Sequence, residues 1–208
     1  MICDGVILDI DGTIWNTTEI VADAWNKAID ENYPQVPHVS SDILKQQFGK
    51  TMDVIADNLF TCLNSVEKKI LLNKCCEYEQ KYIEENTADI TYPKVVETIN
   101  KLAEKVKLYI VSNCQKGYIE LVMEKNQIEK CISDSECFGN NNKEKWENIR
   151  LICKRNNLKN PVYVGDTQGD YLACVKADVP FIWASYGFGK PDNYFMKIEN
   201  FSELLEIL

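Results

Sequence analysis

Four short apolar runs, at residues 6–8, 108–111, 162–164 and 181–184, have the length and composition of strands buried on both faces. Around them the apolar positions recur at helical spacing. Pro93 stands at one helix start, followed by Val95, Val96, Ile99, Leu102 and Ala103. The same rhythm marks Ile119, Val122 and Met123, then Trp146, Ile149, Ile152 and Cys153. Leu172, Ala173 and Val175 continue it within residues 168–176, and a last stretch opens at Ser202 with Leu204, Leu205 and Leu208. Strands alternating with helices predict an α/β fold, a Rossmann-like parallel sheet with helices on both faces.

Residues 16–88 break this rhythm, because no strand pattern occurs there. Val21, Ala24, Trp25, Ala28 and Ile29 mark one helix, Ile43, Leu44 and Phe48 a second, and Val54, Ile55 and Leu59 a third. A long segment over residues 65–85 carries Ile70, Leu71, Cys75, Tyr78 and Tyr82. The expected organisation is an α/β core from residues 1–15 and 89–208, with an all-helical domain, 16–88, inserted after the first strand. No internal repeat is present, and Asn140, Asn141 and Asn142 read as a loop.

Composition changes the picture only in what it excludes. The 208 residues are 45% hydrophobic and 26% charged, ordinary for a globular protein with an ample core. A net charge of -9 argues against nucleic acid or an anionic membrane as partner, so an anionic substrate would need local positive charge or a metal. Nine cysteines without a CxxC pair, and His38 as the one histidine, do not make a zinc site. Reduced thiols, the lack of a basic leader and the absence of a long apolar run point to a cytoplasmic protein.

The candidate chemistry lies where the strands end. The first strand runs into Asp9, Ile10, Asp11, Gly12 and Thr13. Two carboxylates at a strand tip repel one another, which folding alone does not require, and a hard divalent cation would relieve it. The second strand ends in Ser112 and Asn113, and the third in Gly165, Asp166, Thr167, Gln168, Gly169 and Asp170. In a parallel sheet these ends share one edge, where ligands bind. Lys145, in the first turn of a helix, opposes the helix dipole, so helix stability does not call for it, and it would make sense facing an anion. Lys143 competes with it as a solvated loop residue.

Asp9-x-Asp11-Gly12-Thr13, Ser112-Asn113, Lys145-x-x-Asn148-Ile149 and Gly165-Asp166-x-x-x-Asp170 together resemble the four motifs of the haloacid dehalogenase-like superfamily of hydrolases. The resemblance covers essentially the whole chain, with the helical insert similar to a type 1 cap. It implies hydrolysis of a small phosphomonoester through an aspartyl-phosphate. Asp9 would be the nucleophile and Asp11 the general acid and base. Mg2+ would be held by Asp9, the Asp11 backbone carbonyl and Asp166, and Asp170 would order the metal shell or hold Lys145. Ser112, Asn113 and Lys145 would bind the phosphate oxygens.

Asp11 argues against a dehalogenase, which needs neither that residue nor magnesium. A phosphonatase would require a cap lysine such as Lys50, and a phosphomutase would share all four motifs. A non-catalytic phospho-ligand binder is the alternative from another class. Trp15, Trp25, Phe48, Gly49 and Lys50 are candidate specificity residues, and the 185–189 loop is a candidate entrance. Hinge motion near residues 14–18 and 86–92 would admit substrate. The sequence leaves open phosphoglycolate, sugar phosphates and nucleotide monophosphates as the small phosphorylated metabolite, and it leaves the oligomeric state open.

Overall fold

The structure, a computed structural model, describes residues 3–208. Strand β1 (Gly5–Leu8) is followed by α1 (Thr18–Asn32), α2 (Ser41–Lys45), α3 (Met52–Leu59) and α4 (Ser65–Glu85). Next come α5 (Val95–Ala103), β2 (Leu108–Ser112), α6 (Tyr118–Asn126), β3 (Ile132–Cys137) and α7 (Phe138–Asn141). The chain ends with α8 (Lys145–Arg155), β4 (Pro161–Gly165), α9 (Gln168–Ala177), β5 (Phe181–Ala184), β6 (Met196–Ile198) and α10 (Leu204–Ile207). The contacts divide into two units: the described residues up to Asn16 with Ile90–Leu208, and Thr17–Asp89.

In the first unit six parallel strands lie in the order β3-β2-β1-β4-β5-β6. β1 pairs with β2 (Val6 with Leu108) and with β4 (Val6 with Val162), so the strand order reverses beside it. That reversal opens a crevice at the carboxyl ends of β1 and β4. Ile7, Tyr109, Val111, Tyr163 and Phe181 point to one face and pack against Ile149 and Ile152 of α8 and Ala173, Cys174 and Ala177 of α9. Val6, Leu8, Leu108, Ile110, Val162, Val164 and Ile182 alternate to the other face and are equally buried, so both faces are covered.

Two strands lie outside the four the apolar pattern marks. β3 reads Ile-Ser-Asp-Ser-Glu-Cys and β6 only Met-Lys-Ile, and both are edges of the sheet, where polar residues are tolerated. Pro93 precedes its helix rather than opening it: Lys94, in the left-handed region at φ 62°, is the residue before α5. Leu172 and Val175 face solvent instead of the core, because α9 packs through Ala173, Cys174 and Ala177. The chain from Phe201 to Glu203 is a 3-10 turn, which places the final helix start two residues after Ser202.

The second unit is helical throughout. α1 buries Val21, Ala24, Trp25, Ala28 and Ile29 and packs along α4. Trp25 stacks obliquely on Phe60 and donates from Nε1 to Glu79 Oε2 at 2.8 Å. Trp25 is therefore part of this unit's own core. α4 starts at a reciprocal cap, in which Asn64 accepts from Val66 and Glu67 while its own N–H donates to Glu67 Oε2 at 3.0 Å. Lys50 is exposed and donates to Gln47 Oε1 within the same turn, and Gly49 turns the chain at φ 88°. No helix among the described residues is long and apolar enough to cross a membrane.

Candidate active site

Asp9 continues the ladder for one residue, its N–H donating to Val164 O at 2.9 Å, and its side chain leaves at the strand tip. The chain then turns tightly, with the N–H groups of Thr13 and Ile14 on Ile10 O and that of Gly12 on Trp15 O. Gly12 has φ +81°, and a Cβ there would lie 2.1 Å from Asp166 Oδ2. Only glycine lets this turn approach the end of β4 so closely.

At the end of β4, Thr167 caps α9 by accepting from Asp170 N–H, and Asp170 reciprocates. Asp170 Oδ2 accepts from the N–H groups of Asp166 and Thr167 and from the Thr167 hydroxyl. Its Oδ1 accepts from Lys145 Nζ at 2.6 Å. Lys145 is the first residue of α8, and its ammonium also reaches Asp9 Oδ1 at 3.0 Å. All three side chains are buried. Lys143, by contrast, is exposed. The acidic cluster thus explains a lysine at the unfavourable end of a helix dipole.

The charges shift one another. Burial, with help from Asp170 and Asp11, pushes the Asp9 carboxyl up to about 7 against the pull of Lys145. Burial also drives Asp166 well above the usual carboxylate range, and Asp170 and Asp9 add to it. Burial alone would lower the lysine, but Asp170 and Asp9 outweigh it and hold Lys145 above its ordinary value.

Oxygen atoms of Asp9, Asp166 and Asp170 lie within 4.8 Å of one another. Asp166 Oδ2 accepts the Phe188 N–H at 2.6 Å, whereas its buried Oδ1 has no hydrogen-bond partner among the described residues. An unsatisfied buried carboxylate oxygen beside a second carboxylate fits a divalent cation, and the all-oxygen set suits a hard one. Asp170 is a weaker donor, since its two oxygens already accept four hydrogen bonds.

The Asp11 side chain, which acts on Asp9 through its charge, is held by two aromatic residues. Its Oδ1 accepts from Trp15 Nε1 at 3.2 Å and from Tyr118 OH at 2.8 Å. Trp15, a candidate for either a specificity role or core packing, is fully buried against Tyr118. Ser112 is buried at the end of β2, two residues past the Leu8–Ile110 pair and so on the same edge. Asn113 follows it, half-buried. The 185–189 loop reaches the edge as well: Tyr186 OH donates to Thr13 O, and a Cβ on Gly187 would lie 2.3 Å from Asp166 Cβ. Tyr118 is the site residue that sequence reasoning overlooked, since it reads as core helix. Phe188 lies in the loop expected at this edge, and its amide reaches Asp166.

No curated protein matches the chain. Among solved structures it is similar to a predicted phosphoglycolate phosphatase from Haemophilus somnus, with TM-score 0.86, 22% identity, and 99% and 97% of the two chains covered. It is also similar to a predicted phosphatase from Clostridium acetobutylicum, with TM-score 0.85, 15% identity and coverage of 100% and 98%. A haloacid dehalogenase-like family hydrolase from Streptococcus pneumoniae superposes with TM-score 0.82, at 17% identity and coverage of 99% and 98%. These likenesses establish a shared fold. The sequence profile described as haloacid dehalogenase-like hydrolase matches residues 6–184, which takes in the strand-tip carboxylates and Lys145. The chain belongs to the haloacid dehalogenase-like hydrolase family.

Proposed function

We propose that this hydrolase is a magnesium-dependent phosphatase that cleaves small phosphomonoesters through an aspartyl-phosphate. The observation that carries the reading is the Lys145 ammonium held between Asp9 and Asp170, with an unsatisfied Asp166 oxygen alongside. It supplies a carboxylate nucleophile, a cation for phosphate oxygens and a place for a metal in one crevice.

In the first half-reaction an Asp9 oxygen bonds to phosphorus while the phosphorus–ester oxygen bond breaks. The leaving oxygen keeps the electron pair and takes the proton of the Asp11 carboxyl. In the second, Asp11 takes a proton from water, whose oxygen bonds to phosphorus as the Asp9–phosphorus bond breaks. Orthophosphate leaves and both aspartates are restored. Lys145, Ser112 and the Asn113 backbone hold the non-bridging oxygens as charge builds on them. Asp9, Asp166 and the Asp11 carbonyl would hold Mg2+, which when bound offsets the repulsion between the phosphoryl oxygens and Asp9. Asp170 in this scheme fixes Lys145 rather than the metal.

The helical unit, Thr17–Asp89, is assigned the role of a cap that selects the substrate. The likeness to the predicted phosphoglycolate phosphatase from Haemophilus somnus supports testing phosphorylated hydroxy acids first. The nine cysteines, none in a disulfide, support a reducing cytoplasmic setting. The test is release of 4-nitrophenol from 4-nitrophenyl phosphate. EDTA should abolish it and Mg2+ restore it, and Asp9→Asn should lower the rate by at least about 1,000-fold while the protein stays folded. Turnover that survives EDTA, or survives Asp9→Asn, overturns the reading.

A further inference from the structure

The hydrogen bonds to Asp11 come from two places distant in sequence. Trp15 is four residues along the same turn, its position fixed by its backbone bridges to Asp11 and Thr91. Tyr118 is 107 residues away, at the first position of α6. Its placement follows from the loop after β2, where Gly117, at φ 91°, turns the chain so that α6 begins beside the sheet edge. The two rings meet edge to face, 5.8 Å between centroids at 72°, and both are buried. Buried Tyr and Trp need a partner for their polar hydrogen. Here both partners are one atom, Asp11 Oδ1.

We propose that Tyr118, with Trp15, is a positioning residue that holds the Asp11 carboxyl in the orientation its proton transfers require. This rests on the phosphatase reading above. Two donors from distant segments converge on Oδ1, and together they fix the plane of the carboxyl group through both half-reactions. Proton transfer to a leaving oxygen depends steeply on such placement.

Leaving-group dependence distinguishes this role from simple packing. An alkoxide leaves only with a proton, whereas 2,4-dinitrophenolate leaves readily without one. The ratio kcat/KM reports on transfer to Asp9 alone and is blind to the later hydrolysis. Tyr118→Phe keeps the ring against Trp15 and removes only the hydroxyl. We expect kcat/KM of Tyr118→Phe for glycerol phosphate, or for the best alkyl phosphate of a panel, to fall roughly 10- to 100-fold. For 2,4-dinitrophenyl phosphate it should change by less than about threefold, and that retained activity itself reports a folded site. Trp15→Phe should give the same pattern. Combined with Asp11→Asn, Tyr118→Phe should cost nothing further on the alkyl ester. Equal losses on both esters, no loss on either, or an additive loss in the double variant would overturn the proposal. A wild-type chain inactive on both esters would instead overturn the phosphatase reading.

Discussion

Asp166 illustrates how much of the site depends on residues with no functional group of their own. Gly12 and Gly187 both lie where a Cβ would collide with it, at 2.1 Å from Oδ2 and 2.3 Å from Cβ. Gly12→Ala would also force alanine to φ +81°, strain of about 1–3 kcal/mol before any clash. We expect Gly12→Ala to lower the melting temperature and to lose the upward shift expected on adding Mg2+, as thermal denaturation with and without the ion would register. The carboxylates were legible because polar tips on three strands share one edge, whereas Asp11-Gly12 alone reads equally as a turn, and Lys145 because its helix position is unfavourable. Tyr118 was not, since an aromatic residue in an apolar pattern reads as core, and Trp15 stood open between core and site for the same reason. Phe188 fell within a loop legible at this edge, but an amide donor to Asp166 leaves no side-chain signal. Asp170 was half legible: its link to Lys145 follows from charge, but its cap on α9 needs the turn geometry.

Among the elements, legibility followed burial. β1, β2, β4 and β5 have neighbours on both sides and are apolar along their length, so their positions can be read directly. β3 and β6 close the two edges, and their side chains satisfy solvent as well as sheet, which erases the apolar signal. β3 is further held by Arg155, whose guanidinium donates twice to Asp134 at 2.7 Å. In the helical unit α4 is the longest element, at 21 residues, and its start depends on Asn64. Asn64→Ala removes the acceptor for two backbone N–H groups and should cost about 1 kcal/mol. That loss would appear as a lower melting temperature with kcat unchanged, because no site residue lies in α4.

For the molecule as a whole, the acidic cluster ties stability to pH in an unusual direction. The folded Asp9 carboxyl, raised by burial to about 7, binds its proton more tightly than it does in the unfolded chain. Its contribution to stability is therefore complete below the ordinary carboxylate range and disappears as pH rises through about 7. In EDTA the melting temperature should fall between about pH 5 and about pH 8, by less in Asp9→Asn. The increment that Mg2+ adds should be larger at the higher pH, where the carboxylates are free of protons. A melting temperature in EDTA that rises over this range by the same amount in both proteins would contradict the account. The strand order has a further consequence for how the chain is made. β1 lies at the middle of the sheet, yet both its neighbours are encoded far downstream, after the whole helical unit. On the ribosome Val6, Ile7 and Leu8 must wait through about a hundred residues of synthesis for β2, and longer for β4, with Asp9 already at the end of the waiting strand. A nascent polypeptide stalled before residue 108 carries a greasy, unpaired strand that invites chaperone binding.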